Sequence, residues 1–186
     1  MSLDTRVAAS LAELARHEGK AELIGERIVP LMPTGRRSNL IAGRIYRSLA
    51  AHVDGLGRGE VYTDNMGFAV PELSSGRQTF SPEVSYYEGP FPADDMRFIE
   101  GPPTFAVQVR SDGDYGPAAE VKMASKRSDY FEVGTRLVWD VDPIAKVVRA
   151  YRPADPGRAE THRPDGIIDA EPEVPGWIIT IEEIFG

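Results

Sequence analysis

The stretch from 105 to 151 constrains the fold most. FAVQVRS is an apolar run with β-branched character, SDGDYG is a turn, and Pro117 opens a helix that stops before Gly134. RLVWDVDP and KVVRAYRP then form a second strand pair around Asp142 and Pro143. Strand, helix and strands in that order need a sheet with helices packed on it. Alternation on the first strand puts Phe105, Val107 and Val109 on one face and Gln108 and Arg110 on the other. Two long polar side chains on one face of a core strand mark the border of a site.

The preceding residues supply the rest of an α/β domain. TRVAASLAELARHE, 5–18, has helical spacing, and AELIGERIVPL, 21–31, reads as a hairpin about Gly25 with Pro30 at a strand end. SNLIAGRIYRSLAAHV, 38–53, reads as an amphipathic helix with Ser38 as N-cap. Leu40, Ile41, Ile45, Leu49 and Val53 face the core, and Arg44 and Arg47 lie on the other face. VYTDNMGFAV and TFSPEVSYYE read as strands, 88–104 as a proline-rich loop, and VPGWIITIEEIFG as a last strand and terminal turn. The expected organisation is a helical extension over 1–19 and one domain over 20–186, a mixed β-sheet flanked by helices.

Composition bounds the function. The chain has 186 residues and no cysteine, which excludes disulfides and thiolate metal sites, and its net charge of −8 opposes a nucleic-acid backbone except at a local basic cleft. No apolar run is long enough to span a bilayer and no signal-peptide pattern opens the chain, so the expectation is a cytoplasmic protein without a membrane partner. Seventeen arginines stand against four lysines, Lys20, Lys122, Lys126 and Lys146. On a wheel of the helix 117–133, Lys126 falls in the middle of the stripe formed by Ala119, Met123, Tyr130 and Val133. Either its stem packs and its ammonium reaches water, or it serves a site; Lys122, one turn earlier, lies on the flank. Glu83, in SPEVSYY, shares a strand face with Ser85 and Tyr87, and taken alone reads as a solvent-facing strand glutamate.

Taken together, a carboxylate strand, a strand with a polar pair some 25 residues later and a helix carrying an inward lysine match the layout of a hydrolytic metal site. His17, His52 and His162 show no metal-ligand spacing, and Arg36, Arg37, Arg44 and Arg47 read as a solvated helix face.

SPEVSYY, FAVQVRS, KRSDYFEVGTRLVWDVDP and VPGWIITIEEIF, with the early AELIGERIV hairpin, resemble the Uma-two family of restriction-endonuclease-like proteins, within the PD-(D/E)XK nuclease superfamily. The likeness runs over about 20–186. It implies a restriction-endonuclease-like core and Mg²⁺-dependent hydrolysis of DNA phosphodiester bonds, with Mn²⁺ as a substitute and a homodimer or higher oligomer as the assembly. Glu83 stands at the family's aspartate position, Gln108 at its glutamate position and Lys126 at its helix-borne lysine position; Glu22 matches an acidic residue found before the core. The implied catalytic set is Glu83, Gln108 and Lys126, with Glu83 and Gln108 toward metal. Glu for Asp shifts the charge by one methylene, and Gln for Glu removes one. Arg110 stands where the wider superfamily has a lysine. It can hold a phosphate, or pair with Asp112 or Asp114; Gln108 can ligate metal or cap a backbone group. A nuclease, a nuclease-fold module that binds without cutting, and an assembly protein remain the three functional readings.

Overall fold

The computed structural model describes residues 11–186. Residues 11–14 are helical, with Leu14 buried; of the helix expected over 5–18, residues 5–10 lie outside the described residues and 15–18 leave the helix through a turn, so the helix ends earlier than expected. β1 (Ala21–Ile24) and β2 (Arg27–Pro30) form the anticipated hairpin. Its two loop residues, Gly25 and Glu26, both have positive φ (56° and 58°), as a turn matching strand twist requires.

Helix α1 (Arg36–Leu56) buries Ile41, Ala42, Ile45, Leu49 and Val53 along one stripe. Two details differ from expectation. Gly35 is the N-cap, and Ser38, already inside the helix, donates its hydroxyl to the Arg110 carbonyl at 2.7 Å. Leu40 is exposed because it sits a full step of rotation away from Ile41.

The central sheet holds six strands: β3 (Glu60–Thr63), β6 (Val84–Tyr87), β8 (Phe105–Val109), β9 (Leu137–Asp142), β10 (Val147–Tyr151) and β11 (Glu160–His162), in the order β11-β10-β9-β8-β6-β3. β8 and β9 are parallel, and every other pairing is antiparallel. The parallel pair exists because α2 (Pro117–Val133) carries the chain back to the starting edge, a return that a tight turn cannot make. A mixed α/β fold with helices on a mixed sheet is thus the observed class.

The sheet separates two cores. On one face Val84, Tyr86, Phe105, Val107, Val109 and Trp139 pack against α1 and the C-terminal segment. Trp139 and Trp177 stack there at 5.3 Å between ring centroids, each side chain stabilising by about 1.5–3 kcal/mol through burial. On the other face Tyr87, Ala106, Val138 and Tyr130 of α2 meet Phe68, Phe80 and Ile99. These last three belong to a small sheet of β4 (Phe68–Ala69), β5 (Thr79–Phe80) and β7 (Ile99–Glu100). β7 lies inside the segment expected as a plain loop.

β12 (Ile167–Asp169) and β13 (Ile178–Thr180) form a further hairpin, and the terminal turn is helix α3 (Ile181–Phe185). Thr180 and Glu183 cap α3 reciprocally, a capping-box signal legible in the sequence. β11 and β12 were not expected, since strands of three residues are too short to carry an alternation to detect. Among the described residues no helix is long and apolar enough to cross a membrane.

Candidate active site

The second face of the sheet, between β8 and α2, collects the chemistry-bearing side chains. Glu83 immediately precedes β6 and brackets Gln108: its N–H donates to the Val107 carbonyl at 3.2 Å, and its Oε2 accepts the Val109 N–H at 3.2 Å. Gln108 is the one residue of β8 that is not buried. Its Nε2 lies 3.3 Å from both the Tyr130 hydroxyl and the Val107 carbonyl, and its Oε1 accepts no hydrogen bond among the described residues. Gln108 and Lys126 line a common cavity of about 40 Å³ with Met123, Arg127, Tyr130, Val138 and Asp140.

Lys126 does lie on the inward side of α2, with Met123 and Tyr130. Its ammonium donates to Glu22 Oε1 at 2.9 Å. Glu22, on β1, is 2% exposed and ties several elements together. Its Oε1 also accepts the Ser81 N–H at 3.0 Å, and its Oε2 pairs with Arg77, which in turn holds Asp129 at 2.8 Å. Burial is the largest single influence on Glu22 and opposes its ionisation; the charges of Lys126 and Arg77 and the donors Lys126 and Ser81 outweigh it and hold the carboxyl below its usual range.

Glu83 has the opposite fate. Burial pushes its carboxyl up and the nearby Asp64 adds to this, while Lys20, Lys126 and the Val109 N–H offset only part. Lys20, just before β1, reaches Glu83 Oε1 at 3.4 Å and also pairs with Asp64 in the turn after β3. Burial lowers the affinity of the Lys20 amine for a proton, but Glu83, Asp64 and Glu22 together raise it above the ordinary value. The interior of this region is nearly balanced in charge: Glu22, Glu83 and Asp129 stand against Lys20, Arg77 and Lys126.

Arg110 stands differently from both sequence readings. Its guanidinium, 4% exposed, makes a two-pronged pair with Asp140 at 2.8 and 2.7 Å, contacts the carboxylate of Glu120, and reaches only the main-chain oxygen of Asp114. Asp140 lies on β9 directly beside Gln108, a neighbour that sequence distance hides. The guanidinium donors of Arg110 thus face the carboxylates of Asp140 and Glu120. Lys122 is exposed and makes no ion pair among the described residues, as a flank position should. Glu83, Gln108, Lys126 and Glu22 are therefore brought into one region, while Arg110 is consumed beside it and Lys122 lies outside it.

Sequence reasoning missed Lys20, Asp64, Arg77, Asp129 and Tyr130. For Lys20 a signal existed, because it is one of only four lysines in an arginine-rich chain. Among the described residues no group of three or more His, Cys, Asp or Glu side chains is gathered closely enough to hold a metal ion by itself.

The family model described as Uma2, putative restriction endonuclease, matches residues 8–182. The chain belongs to the Uma2 family. Its fold is also similar to the crystal structure of a putative nuclease belonging to DUF820 from Anabaena variabilis, with a TM-score of 0.72 and 18% sequence identity over 94% of this chain and 96% of that one. No curated protein matches the chain. This Uma2 member carries Glu83 and Gln108 at the two positions where the family resemblance implies an aspartate and a glutamate.

Proposed function

We propose that this Uma2 protein hydrolyses phosphodiester bonds of DNA at a reduced-charge site built from Glu83, Gln108 and Lys126. The observation that carries the reading is the bracketing of Gln108 by Glu83, with Lys126 beside the same cavity. Restriction-endonuclease-like families generally use divalent metals, and the donors here are of the right chemistry for Mg²⁺ or Mn²⁺. Glu83 offers a carboxylate, and Gln108 Oε1 is a hard oxygen left without a hydrogen-bond donor. They are short of charge, and a nucleic-acid phosphate supplies the remainder, so ion and substrate bind together. When bound, the ion contributes Lewis-acid stabilisation of charge developing on the phosphoryl oxygens.

The protein's own groups do the positioning. Glu22 fixes the Lys126 ammonium through one of its three N–H donors, leaving two for a phosphate oxygen or water. Tyr130 and the Val107 carbonyl hold the Gln108 amide by its nitrogen, which keeps the amide oxygen available. Lys126→Met is expected to lower cleavage by about 10²–10³-fold, the usual cost of removing one preorganised charge-stabilising donor. Gln108→Glu restores a carboxylate and is expected to raise both Mn²⁺ uptake and cleavage. Nicking of supercoiled plasmid in Mg²⁺ and Mn²⁺, at temperatures where melting curves show each variant folded, reads both.

A second reading, a nuclease-fold module that binds without cutting, is favoured by the charge balance around Glu22 and Glu83. Absence of cleavage by wild type and Gln108→Glu alike, with DNA binding retained, would decide for it. For assembly we propose a homodimer. Exposed Ile144, Ile167 and Ile178 support this, and sedimentation at the 20.4 kDa of one chain would count against it.

A further inference from the structure

We infer that Lys20 is a tethered counter-ion that an incoming divalent cation displaces, and that Asp64 supplies the carboxylate charge which Gln108 lacks. The inference rests on the proposed metal-dependent reading of the Glu83–Gln108 site and extends it to two residues outside that set. Lys20 Nζ lies 3.4 Å from Glu83 Oε1 and pairs at the same time with Asp64, so one ammonium joins both carboxylates. The Lys20 and Glu83 side chains are each only 15% exposed, whereas Asp64 is 40% exposed at the rim.

The physical consequence follows from charge. Two carboxylates close enough to share one ammonium repel each other. Lys20 relieves that repulsion in the metal-free protein. A divalent ion at Glu83 faces a resident positive charge, and must either displace it or bind against it. Lys20 stands on the short segment leading into β1, and its long flexible stem can swing out past the exposed rim into solvent, away from both carboxylates, without moving a packed element. On displacement Asp64 is freed to complement the ion, and the loss of one carboxylate at 108 is made good from the turn after β3.

The test is calorimetric titration with MnCl₂ and thermal melting, on wild type, Lys20→Met, Asp64→Asn, the double variant and Gln108→Glu. Lys20→Met is expected to melt lower than wild type without metal, because Glu83 loses its partner, and to bind Mn²⁺ about ten-fold or more tightly, with the melting temperature restored by the ion. Adding Asp64→Asn to Lys20→Met should abolish the gain. Unchanged Mn²⁺ affinity in Lys20→Met, or a gain that survives Asp64→Asn, overturns the inference. If Gln108→Glu gains affinity while Lys20→Met does not, the metal reading of Glu83 and Gln108 stands and the role of Lys20 falls. If neither gains, the metal reading itself falls and takes the inference with it. Should Lys20→Met be too unstable to titrate, Lys20→Gln keeps a polar head on a shorter stem and is judged by the same outcomes.

Discussion

Replacing Arg110 by methionine is expected to destabilise the protein by about 3–5 kcal/mol, the range found when one partner of a buried ion pair is removed. Asp140 is 2% exposed and its carboxylate receives two of the guanidinium's hydrogen bonds, so the substitution strands a charge inside the sheet layer. Glu120 is half exposed and loses much less, because water can replace its partner. Lysine at 110 should recover only part of the loss, since an ammonium cannot present two parallel N–H groups to one carboxylate. The double variant Arg110→Met with Asp140→Leu should return most of it by replacing the pair with apolar contact. Urea unfolding followed by fluorescence of the stacked Trp139 and Trp177 measures all four proteins. A loss below about 1 kcal/mol, accompanied by weaker DNA binding, would restore Arg110 as a phosphate ligand.

The second large effect is expected at Glu22. Glu22→Gln keeps the shape but removes the charge between Arg77 and Lys126, and it turns an N–H₂ group toward a cation that needs an acceptor. The expected cost is again about 3–5 kcal/mol near neutral pH. The pH dependence identifies the cause. The folded-state pKa of Glu22 is lowered, so its stabilisation is fully present above the ordinary glutamate range and is lost as the pH falls through the lowered value. The difference between wild type and Glu22→Gln should therefore shrink on acidification. Glu83 works in the other direction: its raised pKa makes its ionisation a cost that grows as the pH rises from the ordinary glutamate value through the folded one. Urea midpoints at several pH values separate the two, and a Glu22→Gln penalty that stays constant down to acid pH would reject the charge network as the source of stability.

How much of this was legible beforehand varies with the range of the interaction. The strand from Phe105, the helix from Pro117 to Val133, the pair around Asp142 and the hairpin about Gly25 were visible because each is written in local period and turn chemistry. The inward position of Lys126 was visible for the same reason, since helical spacing fixes a face. Short strands such as β7 and β11 were not, because two or three residues carry no period and pair only when a neighbour is supplied.

By itself the sequence determined the alternation that puts Gln108 and Arg110 on one face and the family motifs around Glu83 and Lys126. It also fixed the replacement of a carboxylate by an amide at 108. Tertiary structure decided the partners. Asp140 lies 30 residues from Arg110 in sequence and Glu22 lies 104 from Lys126, yet these are the carboxylates that the two cations meet. Periodicity specifies the direction of a side chain relative to its own element; the charge that meets it depends on which elements the core brings together, and electrostatic energy depends on that distance and burial alone.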